Sequence, residues 1–210
     1  MGRYLGSSCK YCRREGIKLM LKGLRCETAK CPVEKKQRNL TPGMHSWRRG
    51  RLSEYGVRLR EKQKVKRYYG IFERQFIKCF REAERGKGNT GQTLLQLLER
   101  RLDNVVYKLN FAPSRKAARQ LITHGHIYVN RRKVDVSDYT VKIGNKITVK
   151  GSDRSAKKIQ GQLESNPNFS TQSWLQLSKD RPEATVVALP SREDVQIPVE
   201  EQLVVEFCSR

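Results

Sequence analysis

The apolar positions of the chain fall into a few amphipathic runs, separated by breaks that carry glycine and proline. Ser53 can cap a helix that runs to about Tyr69 and ends at Gly70, with Val57, Leu59, Val65, Tyr68 and Tyr69 as its apolar positions. A second helix, about Glu73 to Arg85, has Phe76, Ile77 and Phe80 at core spacing; Gly86, Gly88 and Gly91 mark the next break. A third, about Gln92 to Leu109, carries Leu94, Leu95, Leu98, Leu102, Val105, Val106 and Leu109. So broad a stripe needs partners on more than one side, and it reads as the hinge between a helical domain and a second part of the chain. Phe111-Ala112-Pro113 ends it.

Ser114 to Lys133, SRKAARQLITHGHIYVNRRK, is the most informative stretch. Ser114 is a good N-cap, and Ala117, Ala118, Leu121 and Ile122 make one apolar helix face. Arg115, Lys116, Arg119, Gln120 and His124 fall largely on the other side. Gly125 is placed to end the helix in a left-handed turn. His126-Ile127-Tyr128-Val129 alternates like a short strand, and Asn130-Arg131 reads as a turn. Such a helix and strand present basic and hydrogen-bonding side chains together, which suits a phosphate backbone. Beyond it, Lys133–Val136, Tyr139–Ile143 and Lys146–Lys150 read as short strands. Ser152 to Leu163 reads as a helix, Trp174–Leu177 and Thr185–Leu189 as strands, and Glu200–Phe207 as a final amphipathic helix. The fold class is therefore α+β.

Charge sharpens this picture. The formal net charge is +23 over 210 residues, a level of self-repulsion that a polyanion relieves. Nucleic acid is the leading partner and an anionic membrane surface the second. No apolar run approaches the ~20 residues of a membrane-crossing helix. MGRYLGSSCK lacks the apolar core of a signal peptide, and Gly6 stands where a myristoylation signal has Ser or Thr. The first helix is far more basic than a solvated helix needs, with Arg58, Arg60, Lys62, Lys64, Lys66 and Arg67. Ahead of it, TPGMHSWRRGRL offers Arg48, Arg49 and Arg51 to phosphates, with Trp47 as a stacking plane or a packing anchor.

Cysteine spacing adds a candidate metal centre. Cys9, Cys12, Cys26 and Cys31 form C-x2-C, thirteen residues, then C-x4-C, and four thiolates in two close pairs can close a tetrahedron. Zinc is the default metal. An iron–sulfur cluster is the alternative, since Pro32 directly after Cys31 echoes a ferredoxin-like ending. The segment buries too little apolar surface to fold unaided, so metal binding would supply its folding energy. Cys79 and Cys208 read as buried or inert helix residues.

SRKAARQLITHGHIYVN resembles the RNA-binding helix–turn–strand module of small-subunit ribosomal protein four, and resembles the ribosomal family beyond the module itself. The resemblance extends through RLREKQKVKRYYGIFERQF, LLERRLDNVVYKLNFAPSRKAARQL and PVEEQLVVEFCSR. It departs at Arg131, where the family usually has Gly and where Arg resists a positive φ, and at Val136-Ser137-Asp138, where the bacterial pattern tends to have Pro-Ser. The resemblance implies three parts: a four-cysteine metal-binding segment over 1–45, a helical RNA-binding domain over 46–98 completed by 190–210, and the module with a small antiparallel sheet over 99–189. It implies a structural constituent of the small subunit that binds 16S rRNA, nucleates assembly of the subunit body and supports translational accuracy. Ribosomal protein five is the implied neighbour, with protein three nearby at the mRNA entry channel, in a cytoplasmic or organellar ribosome. Candidate RNA contacts are Arg3, Arg13, Arg14, the three arginines of the connector, the six cations of the first helix, Ser114, Arg115, Lys116, Arg119, Gln120, His124, His126, Asn130, Arg131, Arg132 and Lys133. Arg192, Glu193 and Asp194 are the candidate protein contact.

An enzyme is not expected. Arg101-Leu102-Asp103 matches the triplet whose Asp is the nucleophile of pseudouridine synthases, which carry the same module. Only ~60 residues follow the module here, too few for the catalytic domain that follows it there. His45, His124 and His126 have no triad partners. The alternative class is an RNA-modifying or RNA-regulatory factor that borrows the module. A zinc-finger DNA-binding factor would need a groove-reading helix that is not identifiable.

Overall fold

The computed structural model describes residues 4–35, 39–47, 50–150, 153–164, 171–178 and 182–209. The chain divides into two compact units, residues 1–94 with 197–210 and residues 95–196.

The first unit holds α1 (Cys9–Glu15), a 3-10 turn (Gly23–Cys26), α2 (Glu54–Tyr69), α3 (Glu73–Arg85), the start of α4 (Thr90–Glu99) and the last helix, α8 (Glu201–Cys208). The ends of α2 are as its sequence suggests. Ser53 Oγ accepts the Gly56 N–H, and at the other end Gly70 takes φ 64° so that its N–H and that of Ile71 return to the Arg67 and Lys66 carbonyls. Val65, Tyr68, Tyr69, Phe76, Phe80, Ile197 and Val204 are buried in this unit. The chain's end returns to α2. Arg58 Nε donates to Glu206 at 2.7 Å, the Tyr55 and Phe207 rings lie 5.3 Å apart, and the Lys62 ammonium stands 4.9 Å above the Phe207 ring.

The second unit holds the end of α4, α5 (Leu102–Lys108), α6 (Arg115–Thr123), β1 (Ile127–Val129), β2 (Arg132–Lys133), β3 (Lys146–Val149), α7 (Asp153–Glu164), β4 (Leu175–Leu177) and β5 (Glu183–Val186). The strands form one antiparallel sheet in the order β2-β1-β3-β5-β4. The register sets Ile127 against Val149 and Val129 against Ile147. These inward residues meet Val105, Val106, Ala118 and Ile122 from α5 and α6, and Trp174 and Ile159, in one core. An α+β architecture of helices and a small antiparallel sheet results.

Several elements differ from their sequence pattern. The long stripe from Gln92 to Leu109 is two helices, because Arg101 takes an extended backbone (φ −65°, ψ 136°) and pairs as a lone bridge with Thr140. Residues 139–143 are no sheet strand. Val141 alone is buried there, and the segment lends its backbone to 100–102 instead: Leu102 N–H donates to Tyr139 O at 2.8 Å, and Val141 N–H to Arg100 O at 2.9 Å. The strand read over Lys133–Val136 shrinks to Arg132–Lys133. The one read over Thr185–Leu189 moves to Glu183–Val186, leaving Val187 and Leu189 exposed. Helix α1 has no apolar periodicity to announce it.

The β1–β2 turn carries a cost. Its two central residues, Asn130 (φ 50°) and Arg131 (φ 65°), are both left-handed, the geometry that matches the right-handed twist of a two-residue hairpin. Asn tolerates this backbone; Arg does not. Replacing Arg131 by Gly should stabilise the protein by about 1 kcal/mol, after the unfolded-state entropy of the added glycine is subtracted. A denaturant midpoint that fails to rise at unchanged slope would show that the turn is unstrained.

Candidate nucleic-acid interface

The outward surface of the second unit is set by a buried ionic node. Asp103 lies in the first turn of α5 and is 1% exposed. Arg101 Nε and Nη2 donate to its two carboxylate oxygens at 3.2 and 3.1 Å, Arg119 Nε of α6 donates at 3.1 Å, and Arg101 also reaches Asp138. One turn along, Arg115 Nε donates to Asn104 Oδ1 at 2.8 Å and its guanidinium lies 4.5 Å over the Tyr107 ring. Asn104 Nδ2 in turn donates to Glu99 Oε2 at 2.6 Å. Lys108, also buried, donates to Gln196 Oε1 at 3.2 Å, and burial lowers the pKa of its ammonium. Arg115 and Arg119 therefore do not stand on the outer face that helical spacing assigns them; carboxylate and amide partners on α5 draw them inward. The same node closes off the Arg-Leu-Asp triplet. A carboxylate gripped by two guanidiniums in the interior is not placed to attack a base.

What remains outward on the module is a continuous strip. Lys116 and Gln120 of α6 and His124, its C-cap, are exposed at i, i+4 and i+8. Gly125 (φ 71°) turns the chain, and a Cβ there would run into the Lys133 side chain, which lies over it. His126 is half-buried, its ring 6.1 Å from that of His124. Arg131, Arg132 and Lys133 are exposed on the hairpin, along the edge strand β2. Two expected contacts serve the fold instead. Ser114 Oγ accepts the Ala117 N–H as the cap of α6, and Asn130 Oδ1 accepts the Lys146 N–H at 2.8 Å, tying the turn to β3.

In the first unit the six cations of α2 are matched with carboxylates. Arg58 meets Glu54 and Glu206, Arg60 and Arg67 meet Glu15, Lys62 and Lys66 meet Glu73, and Lys64 meets Glu61. Burial pushes the Glu15 carboxyl up despite the two arginines. Glu73, though desolvated, is held below its ordinary value by hydrogen bonds from Lys62 and Lys66. Its cations are matched partly by local carboxylates, Glu54, Glu61 and Glu73, and partly by Glu15 and Glu206 from far off in sequence. The exposed cations lie elsewhere. Arg74, Lys78, Arg81 and Arg85 form an outward stripe on α3 opposite Phe76, Phe80 and Ala83; the i, i+4, i+7, i+11 spacing was the overlooked signal. Arg51 and Arg14 are exposed, whereas Arg13 Nη1 donates to Leu40 O at 3.4 Å. Trp47 is exposed, its ring 5.4 Å from His45, and so is no packing anchor. Arg3, Arg48 and Arg49 lie outside the described residues.

The loop expected to make the protein contact is partly internal. Asp194 accepts from Ser173 Oγ and from the Ser191 N–H and Oγ at 2.8–3.0 Å, which organises the loop. Arg192 Nη1 donates to Val195 O, and Glu193 is exposed.

The four cysteines gather in the N-terminal segment. Cys12, Cys26 and Cys31 are buried. Desolvation, and after it the neighbouring thiols, raise the pKa values of Cys12 and Cys26. The Lys22 N–H lies 3.3 Å from Cys26 Sγ, and the Leu19 backbone hydrogen-bonds Cys12. Among the described residues no group of three or more His, Cys, Asp or Glu side chains is placed to hold a metal ion. Four cysteines with backbone N–H donors to sulfur are the donor type that a thiophilic ion takes. Cys79 and Cys208 are half-buried.

Comparison with known proteins identifies the family. Residues 3–99 match the model described as "Ribosomal protein S4/S9 N-terminal domain", and residues 100–147 the model described as "S4 domain". The small ribosomal subunit protein uS4 of Thermoanaerobacter sp. (strain X514) is 53% identical over 210 residues, the full length of both chains. The chain belongs to the uS4 family. Members from Halothermothrix orenii and from Thermus thermophilus are each 51% identical over the whole of both chains. The family is one of structural ribosomal proteins and not of enzymes, so the borrowed-module alternative is set aside. Among the described residues no helix is long and apolar enough to cross a membrane.

The ionic node gives a direct test. Asp103→Ala leaves the buried Arg101 without its carboxylate and removes the Arg119 pair, and should cost about 3–5 kcal/mol. A loss under ~1 kcal/mol in urea unfolding would mean that the node does not hold α5 to α6.

Proposed function

We propose that the protein is a 16S rRNA-binding constituent of the small ribosomal subunit, acting in the cytoplasm, and that it grips RNA through the strip from Lys116, Gln120 and His124 to Arg131, Arg132 and Lys133. One observation carries the reading: this strip points outward while Arg115 and Arg119 on the same helix are turned to the interior. Phosphate contacts of this kind position a protein on folded RNA by shape, without sequence readout. On the first unit, the α3 stripe, Arg14 and Arg51 are exposed cations of their own. Nucleation of the subunit body and support of decoding accuracy are part of this reading. Contact with ribosomal protein five, near the mRNA entry channel where protein three also lies, is assigned to the loop of Arg192, Glu193 and Asp194, which Asp194 also organises. Replacing Lys116, Arg131 and Arg132 together by Ala should weaken binding to a small-subunit rRNA fragment and flatten the plot of log affinity against log salt by about 2–3. An unchanged slope would remove the strip from the interface.

We further propose that Cys9, Cys12, Cys26 and Cys31 hold one structural zinc ion, with an iron–sulfur cluster as the alternative. The burial of three thiols and the backbone N–H donors to sulfur support it. Four thiolates leave no open position, so the ion would fix the segment and catalyse nothing. Cys26→Ser should lose the metal by elemental analysis and make residues 1–40 protease-sensitive, while the α6 module keeps its cooperative unfolding. A reduced, purified protein holding neither zinc nor iron, with an N-terminus as protease-resistant as before chelation, would rule the site out.

A further inference from the structure

An open cavity of about 600 Å³ lies in the N-terminal segment. Lys10, Arg13, Lys22 and Arg25 line it, with Pro32 and Pro42 among its walls, and no Asp or Glu is among the lining residues. This departs from the rest of the first unit. On α2 every cation has a carboxylate beside it, whereas here four cations surround a concavity without one. Like charges held around a hollow repel one another, and an anion entering the hollow relieves them all at once. Arg13 is aimed by its bond to the Leu40 carbonyl, so part of the charge is already in place.

The size and the walls narrow the ligand. A duplex backbone lies along a surface and does not enter a cavity of this volume; a single nucleotide does. The prolines offer rigid apolar surface to a ribose or a base face, while the cations face a phosphate. We infer that this cavity takes one unpaired, extruded nucleotide of the RNA, its phosphate against Lys10, Arg13, Lys22 and Arg25 and its sugar and base against the prolines. The inference rests on the RNA-binding reading above and adds to it a pocket for a single residue of the RNA. The same phosphate chemistry occurs in free nucleotides, so the test separates the two sources.

The experiment uses the full-length, metal-replete protein on the 5′ domain of 16S rRNA, with nucleotide-resolution chemical probing and a salt titration. Two variants are compared. Lys10→Gln with Arg25→Gln removes two exposed charges, and Ser7→Phe fills the cavity without altering charge. Wild type should protect at least one unpaired nucleotide that both variants leave reactive at saturating protein, with the other protections kept. The double variant should also bind about tenfold more weakly and lose about 2 from the salt slope, and Ser7→Phe should keep the slope. If both variants protect as wild type does, the pocket is refuted and RNA binding stands. If wild type protects nothing, the RNA-binding reading itself falls and takes the pocket with it. Adenosine triphosphate added to the RNA-free protein is the other arm. Saturable binding below about 1 mM that the double variant abolishes would assign the cavity to a free nucleotide and overturn the inference.

Discussion

The second unit depends on one buried carboxylate. Asp103 accepts hydrogen bonds from Arg101 and Arg119, and Arg101 continues to Asp138. Taking such charges out of water is costly, so the arrangement is favourable only while every partner is present and well aimed. That requirement explains the local structure. For its guanidinium to lie along Asp103, two residues ahead, Arg101 leaves the helix, and the apolar stripe that would run unbroken is split into α4 and α5. The same carboxylate fixes α6 through Arg119, with Arg115 on Asn104 as a second tie. Two ties one turn apart set the rotation of α6 about its axis, and so decide that Lys116, Gln120 and His124 are the residues shown to the outside.

Electrostatics sorts the cations of the chain into two populations. One is internal: the cations of α2 with Glu15, Glu54, Glu61, Glu73 and Glu206, and the arginines of the node. Its energy is structural, and at half-exposed sites modest. The other lies on surfaces: the α6–hairpin strip, the α3 stripe and the N-terminal cavity. A net charge of +23 leaves an excess of cations, and a polyanion neutralises them with release of its counterions. Net charge alone could not say which lysines and arginines belong to which population.

Much of the fold was legible because local signals and tertiary structure agree. Ser53 and Gly70 bound α2 as caps do, Phe76 and Phe80 face inward from α3, and Ser114 and Gly125 delimit the α6 turn. The misreadings share a cause: partners distant in sequence. Helical spacing cannot reveal that Asp103 and Asn104 await Arg119 and Arg115, that Glu15 sits under Arg60 and Arg67, or that residues 139–141 pair with 100–102 and not with a sheet. The family resemblance supplied the module and its ligand class as an expectation, but not which of its cations point outward. The α3 stripe needs no distant partner to be legible: Arg74, Lys78, Arg81 and Arg85 follow helical spacing, with Glu82 and Glu84 exposed beside them.

The N-terminal segment is where folding and binding become the same question. Leu19 is the one aliphatic side chain of residues 4–35 that is buried, so little apolar burial holds this segment in shape. The cavity that begins there is lined by cations that repel, which works against its own persistence. A metal on the four thiolates would oppose that repulsion twice, by cross-linking the 9–12 and 26–31 turns and by adding about two negative charges beside Lys10, Lys22 and Arg25. An anion in the cavity would oppose it again. Each ligand stabilises one conformation of the same segment, which favours the other, while their like charges beside the same cations oppose it, and the net factor is equal in both directions. On the two proposals together, bound RNA should therefore shift metal affinity by the same factor by which the metal shifts RNA affinity, and that factor should be confined to the cavity's share, leaving the α6 strip at work.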